Sequence, residues 1–190
     1  MNKNEVFETA LRIAVIAHAG QKDKLGYPYI LHPLAVASQL DSLDLKTVAL
    51  LHDVIEDTSV TDRYLLDSGI PKKLVESVMI LTKPKDMSYE SYLERVKTDP
   101  VALAVKKADL AHNTSSNRSK GLNSDRKAKY NLAKEILSNP NEKMGVVQKK
   151  ADLYDKMIET RRKGAQKTNN ISPEQRRLRA KKAAAARWGK

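Results

Sequence analysis

Residues 45–57 read LKTVALLHDVIED, and the fold turns on how this stretch is read. Four apolar residues, Val48, Ala49, Leu50 and Leu51, run straight into four polar groups within six positions: His52, Asp53, Glu56 and Asp57. At 3.6 residues per turn the segment is predicted as one helix, with His52 stacked on Glu56 and Asp53 on Asp57. Burying such groups beside an apolar run is costly unless a metal or polar partners satisfy them. The plainer alternative is an exposed acidic helix end that happens to carry a histidine.

Helical periodicity continues on both sides of this stretch. Val6, Ala10, Ile13, Ala14 and Ala17 recur at helical spacing, which predicts a helix over residues 4–18. Residues 19–31 contain Gly and Pro and read as a structured loop. Pro33 fits the first turn of a second helix, PLAVASQLDSL. Thr61 is placed to cap a short helix ending at Gly69. Pro71, Ser88, Pro100, Ser124 and Pro140 each stand before a further helical stretch. No alternating strand pattern persists, and aromatic residues are only 5% of the chain, so sandwiches and barrels are disfavoured. The expected fold class is all-α, an orthogonal helical bundle followed by a basic helical tail.

The 190 residues suit one domain with an appendage: 1–163 as the domain, 164–171 as a polar linker and 172–190 as the tail. Hydrophobic residues at 41% are enough for a core. There is no cysteine, which excludes disulfides, thiolate metal sites and a cysteine nucleophile. No apolar run approaches the roughly 20 residues of a membrane span, and MNKNEVFETA does not read as a signal peptide, so a cytoplasmic location is expected.

The net charge of +12 is unevenly placed. Residues 161–190 hold eleven Lys or Arg against the single acid Glu174, whereas residues 1–160 hold 24 basic and 22 acidic residues. The folded part is nearly neutral, and the sequence pI of about 9.7 describes mainly the tail. Ser172-Pro173-Glu174-Gln175 is a helix start, and four alanines follow at 183–186. Either this is a solvated or partner-packed basic helix, or it contacts nucleic-acid phosphates in a salt-sensitive way.

A second polar set accompanies the first. Asp109 lies near the end of an apolar helical stretch, and His32 just before the helix that Pro33 opens. Two imidazoles and two carboxylates suit a borderline ion such as Mn, Fe, Co or Zn better than Ca or Mg. A bound divalent ion makes a water more acidic and polarises a phosphoryl oxygen, while a neighbouring carboxylate accepts the proton. Lys24, Arg118, Arg126 and Lys127 are candidate cations for a negatively charged transition state.

Three strings carry a family resemblance: HAGQKDKLGYPYILHP over residues 18–33, HDVIEDT over 52–58 and KADLAHN over 107–113. In this order they resemble the HD-domain alarmone hydrolases, meaning the small stand-alone hydrolases and the hydrolase halves of RelA/SpoT-type stringent-response enzymes. The resemblance covers roughly residues 5–160 and implies an HD-domain fold. It implies cleavage of the 3′-pyrophosphate of (p)ppGpp, with release of pyrophosphate. It implies His32, His52, Asp53 and Asp109 as ligands of one metal, usually Mn2+. By the same resemblance Glu56 and Asp57 orient and activate the attacking water, and Lys24, Asn113 and Ser116 bind substrate. Neither His18 nor His112 matches a ligand position, and both read as supporting residues.

The chain departs from the family pattern at Asp23-Lys24, where relatives commonly have Arg-Lys and the arginine helps to hold guanine. An aspartate cannot stack on a base as a guanidinium does. An adenine alarmone, a deoxynucleotide or a cyclic nucleotide therefore stands as an alternative substrate. The basic tail lies outside the family pattern and raises a further alternative, a nucleic-acid or protein-binding role.

Overall fold

The computed structural model describes residues 1–115 and 123–138, which belong to a compact unit spanning residues 1–148. The expected helix after Pro140, the boundary at residue 163, the linker 164–171 and the tail 172–190 lie outside the described residues, as do Ser116 and Arg118.

The described residues form helices α1 (Lys3–Ala17), α2 (Leu31–Ser38), α3 (Leu43–Leu51), α4 (Val54–Asp57), α5 (Asp62–Asp67), α6 (Lys72–Leu81), α7 (Tyr89–Lys97), α8 (Pro100–Asn113) and α9 (Ser124–Ser138). No strand occurs among them; Lys22 and Pro28 form one isolated antiparallel bridge.

Local chemistry sets most of the helix starts. Asn2 accepts the Glu5 amide while the Glu5 carboxylate accepts the Asn2 amide, a reciprocal cap on α1. Ser42, Thr61, Ser88 and Asp99 accept amides from the first turns of α3, α5, α7 and α8. Each such cap contributes on the order of 1 kcal/mol. Gly69 closes α5 at φ +87°, a backbone region that side chains with a Cβ seldom enter.

Helix α3 is the centre of the domain and packs against α1, α2, α6 and α8. Its Val48, Ala49, Leu50 and Leu51 are wholly buried, as the apolar run requires. Burying a leucine of this kind contributes roughly 1.5–3 kcal/mol. Helix α8 joins the other half, touching α2, α3, α6, α7 and α9.

Two expectations about the helices need correction. The helix over 45–57 is broken: α3 ends at Leu51, and α4 begins at Val54. The His52 ring turns back to bond the Ala49 carbonyl at 2.7 Å, and Asp53 takes φ −105°, ψ −4° before the Asp57 amide restarts the ladder on the Asp53 carbonyl. The stacking of His52 on Glu56 and Asp53 on Asp57 therefore does not hold as drawn on a continuous helix. Helix α2 also begins earlier and ends sooner than PLAVASQLDSL implies. His32 lies in its first turn, and Ser42 is free to cap α3.

Candidate metal centre

The break after Leu51 lets two successive side chains, His52 and Asp53, turn toward one point. His32 reaches that point from the first turn of α2, and Asp109 from the last turns of α8. His52 Nε2 lies 3.1 Å from Asp53 Oδ2 and 4.0 Å from Asp109 Oδ1. His32 Nε2 lies 3.2 Å from Asp109 Oδ1 and 3.6 Å from Asp53 Oδ2. Donor atoms of His32, His52 and Asp109 all fall within 4.8 Å of one another, and all three residues are buried.

The protons on both imidazoles are arranged by their outer nitrogens. His52 Nδ1 donates to the Ala49 carbonyl, so its Nε2 carries the electron pair when the ring is neutral. That Nε2 is buried and makes no hydrogen bond, although a carboxylate oxygen is close by. His32 Nδ1 pairs with His112 Nδ1 at 2.8 Å, and the two rings stack with centroids 5.0 Å apart. A proton on His32 Nδ1, donated to His112, leaves His32 Nε2 as the second inward electron pair. A buried, unbonded imidazole nitrogen facing two carboxylates is a donor set that fits a divalent ion.

The carboxylates are held as firmly. Tyr29 donates its hydroxyl to Asp53 Oδ2 at 2.5 Å. Lys106 donates to Asp109 Oδ2 at 2.8 Å, and the Asn113 amide donates to Asp109 Oδ1. Burial works against ionisation of both aspartates, yet His52 beside Asp53 and Lys106 beside Asp109 hold them well below the usual carboxylate range. The reciprocal effect raises His52 to about 9, against its burial, through Asp53 and then Asp109.

These residues form one wall of a cavity of about 520 Å3. Glu56 and Asp57 are exposed on its side, and Lys24, Asp23 and Asn113 also line it. Glu56 Oε2 accepts the backbone amide of Lys83 at 3.0 Å. The Asp57 carboxyl is raised by partial burial and then by the charges of Asp53 and Glu56. Asp23 is turned into its own loop, where Oδ1 accepts the amides of Leu25 and Tyr27.

The cavity is also lined by the cations Lys83, Lys106, Arg126 and Lys129. The Lys129 ammonium sits 4.1 Å from the centre of the Tyr89 ring, and its pKa is lowered by burial and by the cations Lys106, Lys83 and Arg126. Of the candidate cations, Lys24 and Arg126 reach the cavity. Lys127 is exposed and not on its wall. Sequence reading missed Tyr29, Lys106 and Lys129. For Lys106 a signal existed: it lies three residues before Asp109, on the same helix face. His112 pairs with His32, and His18 pairs with Gln21.

No family model matches the chain. It is 39% identical over 118 residues to the bifunctional (p)ppGpp synthase/hydrolase SpoT of Escherichia coli, covering 55% of this chain and 17% of that protein. To the guanosine-3′,5′-bis(diphosphate) 3′-pyrophosphohydrolase of Aquifex aeolicus it is 36% identical over 120 residues, 57% of this chain and 17% of the relative. A probable GTP pyrophosphokinase of Mycobacterium leprae is 34% identical over 122 residues, 57% of this chain and 15% of the relative. The matched stretch thus spans about a sixth of these much longer relatives. Among solved structures, a metazoan ortholog of SpoT described as hydrolysing ppGpp and acting in starvation responses aligns with TM-score 0.55 at 21% identity. That alignment covers 80% of this chain and 95% of the other. The chain thus shares a helical fold with that structure, and over 118–122 residues its sequence is similar to part of these longer proteins.

Proposed function

We propose that the protein is a metal-dependent alarmone hydrolase that removes the 3′-pyrophosphate of (p)ppGpp in the cytoplasm. The observation that carries this reading is the convergence of His32, His52, Asp53 and Asp109, with a buried imidazole nitrogen left unbonded, on a cavity also lined by Lys83, Lys106, Arg126 and Lys129. Those four residues would hold one divalent ion, Mn2+ in this reading. When bound, the ion supplies Lewis acidity, polarising a phosphoryl oxygen and making a water more acidic.

The chain's own residues do the rest. Asp57, with its raised carboxyl pKa, takes the proton of the attacking water. Glu56, tethered by one oxygen to the Lys83 amide, keeps the other for orienting that water. The water oxygen bonds to phosphorus, the bond from phosphorus to the ribose 3′-oxygen breaks, and that oxygen takes up a proton. Arg126, Lys129 and Lys24 offset the negative charge of two diphosphates, which explains why mutually repelling cations are gathered around one cavity. Asn113 is bonded through its amide to Asp109, so its carbonyl is the part left for substrate. Ser116 is assigned a substrate contact on the resemblance alone.

The test is pyrophosphate release from ppGpp with Mn2+, using Asp53→Ala as control. The expected result is metal-dependent release that the variant loses by at least 100-fold; absence of release from any alarmone would refute the reading. Asp23 favours a second reading on substrate. Its Oδ1 accepts the loop amides of Leu25 and Tyr27 beside the cavity, and a carboxylate stands where relatives commonly have the arginine that helps to hold guanine. A panel of guanine and adenine alarmones, deoxynucleotides and cyclic nucleotides decides between the two.

A further inference from the structure

The loop between α1 and α2 is more ordered than a connector needs to be. The Tyr29 amide donates to the Gln21 carbonyl at 2.9 Å, Lys22 bridges Pro28, and the Asp23 amide donates to Tyr27 O at 2.8 Å. The result is a small hairpin whose tip, residues 22–25, lines the cavity. At its base, two facing residues reach across to the two ends of α4. Tyr29 donates to Asp53 Oδ2. Gln21 Nε2 donates to the backbone carbonyl of Asp57 at 3.1 Å.

Gln21 is itself fixed from behind. Its Oε1 lies 2.8 Å from His18 Nδ1. Since its amide group is committed to the Asp57 carbonyl, Oε1 must be the acceptor and His18 Nδ1 the donor. His18 is buried at the end of α1, and its ring lies 4.9 Å from that of Tyr29. A continuous line of hydrogen bonds therefore runs from α1 through His18 and Gln21 to the last residue of α4.

Helix α4 has only four residues and few bonds of its own, so this strut holds the end that carries Asp57. We propose that Gln21 is a positioning residue: it sets the backbone at Asp57, and so the placement of the carboxylate that handles the water's proton. This rests on the proposed hydrolysis. Asp53 is held separately by Tyr29, so Gln21 governs the rate of the chemical step and not metal binding. A misplacement of about 1 Å at a reacting group can cost on the order of 100-fold.

The experiment compares Gln21→Met, which removes both bonds, with Gln21→Glu, which keeps an acceptor for His18 but offers no N–H to Asp57. Three quantities are read: kcat and KM for ppGpp with Mn2+, Mn2+ affinity without nucleotide, and hydrogen exchange of the Asp57 amide. Both variants are expected to lose about 10- to 100-fold in kcat, with KM and Mn2+ affinity within threefold of the parent. Exchange at Asp57 should quicken about tenfold while α1 and α8 stay unchanged. A Gln21→Glu protein with parental kcat would overturn the proposal, as would lost kcat accompanied by faster exchange throughout the domain. If the parent releases no pyrophosphate, the functional reading fails. Unchanged Asp57 exchange in both variants would then overturn the strut as well, and local quickening would uphold it.

Discussion

Replacing Lys106 by methionine isolates the electrostatics of the centre from its packing. Methionine retains an unbranched stem of similar length beside the Tyr92 ring, where the ammonium now sits 5.5 Å from the ring centre. What disappears is the 2.8 Å bond to Asp109 Oδ2, between side chains only 16% and 6% exposed. Removing one partner of a buried pair costs about 3–5 kcal/mol, because the remaining charge is left uncompensated. Asp109 keeps the Asn113 amide and the His32 ring, so the lower end applies, about 3 kcal/mol. For a domain of this size that is a fall in Tm of roughly 6–12 °C. The assay is thermal unfolding followed by circular dichroism, once in chelator and once in saturating Mn2+. A divalent ion supplies the positive charge that Lys106 no longer provides, so the gap between variant and parent should narrow with Mn2+. A loss below 1 kcal/mol in chelator, or a gap that widens with Mn2+, would refute the reasoning.

Three other outcomes are expected. Asp57 must be ionised to accept a proton, so activity falls as pH drops through its raised pKa; Glu56→Gln removes a negative neighbour and should move the acid limb of the pH–rate profile to lower pH. Leu50→Ala, at a wholly buried position of α3, should destabilise the domain by about 2–5 kcal/mol in urea unfolding, with metal adding back only its binding energy. Deleting residues 165–190 should leave pyrophosphate release unchanged; any nucleic-acid affinity of the full chain, measured against salt, should disappear with those basic residues.

Much of the fold was legible because its punctuation is chemical. Thr61 with Gly69, Ser88 and Pro100 bound their helices as caps and N1 prolines do, and the apolar spacing of Val6, Ala10, Ile13 and Ala14 matches the buried face of α1. The break at His52-Asp53 was not legible. Nothing in LLHDVIE disfavours helix, and the interruption depends on where tertiary partners pull those two side chains. For the same reason the paired acids Glu56 and Asp57 could be found in the sequence, whereas the Glu56 tie to the Lys83 amide could not. That bond joins residues 27 apart through a backbone group that has no sequence signature. Tyr29 and Gln21 were hidden in another way. Each is an ordinary loop residue until the hairpin pairs them and aims both at one short helix.

The four inward donors come from the first turn of α2, the two residues between α3 and α4, and the last turns of α8. Between His32 and Asp109 the chain makes a circuit of most of the domain. An ion seated there would act as a clasp on that circuit, and partly folded forms lacking α8 would offer it only an incomplete set of ligands. Occupancy of the centre would thus report on the assembly of the whole bundle, and chelation would loosen helices well away from the cavity.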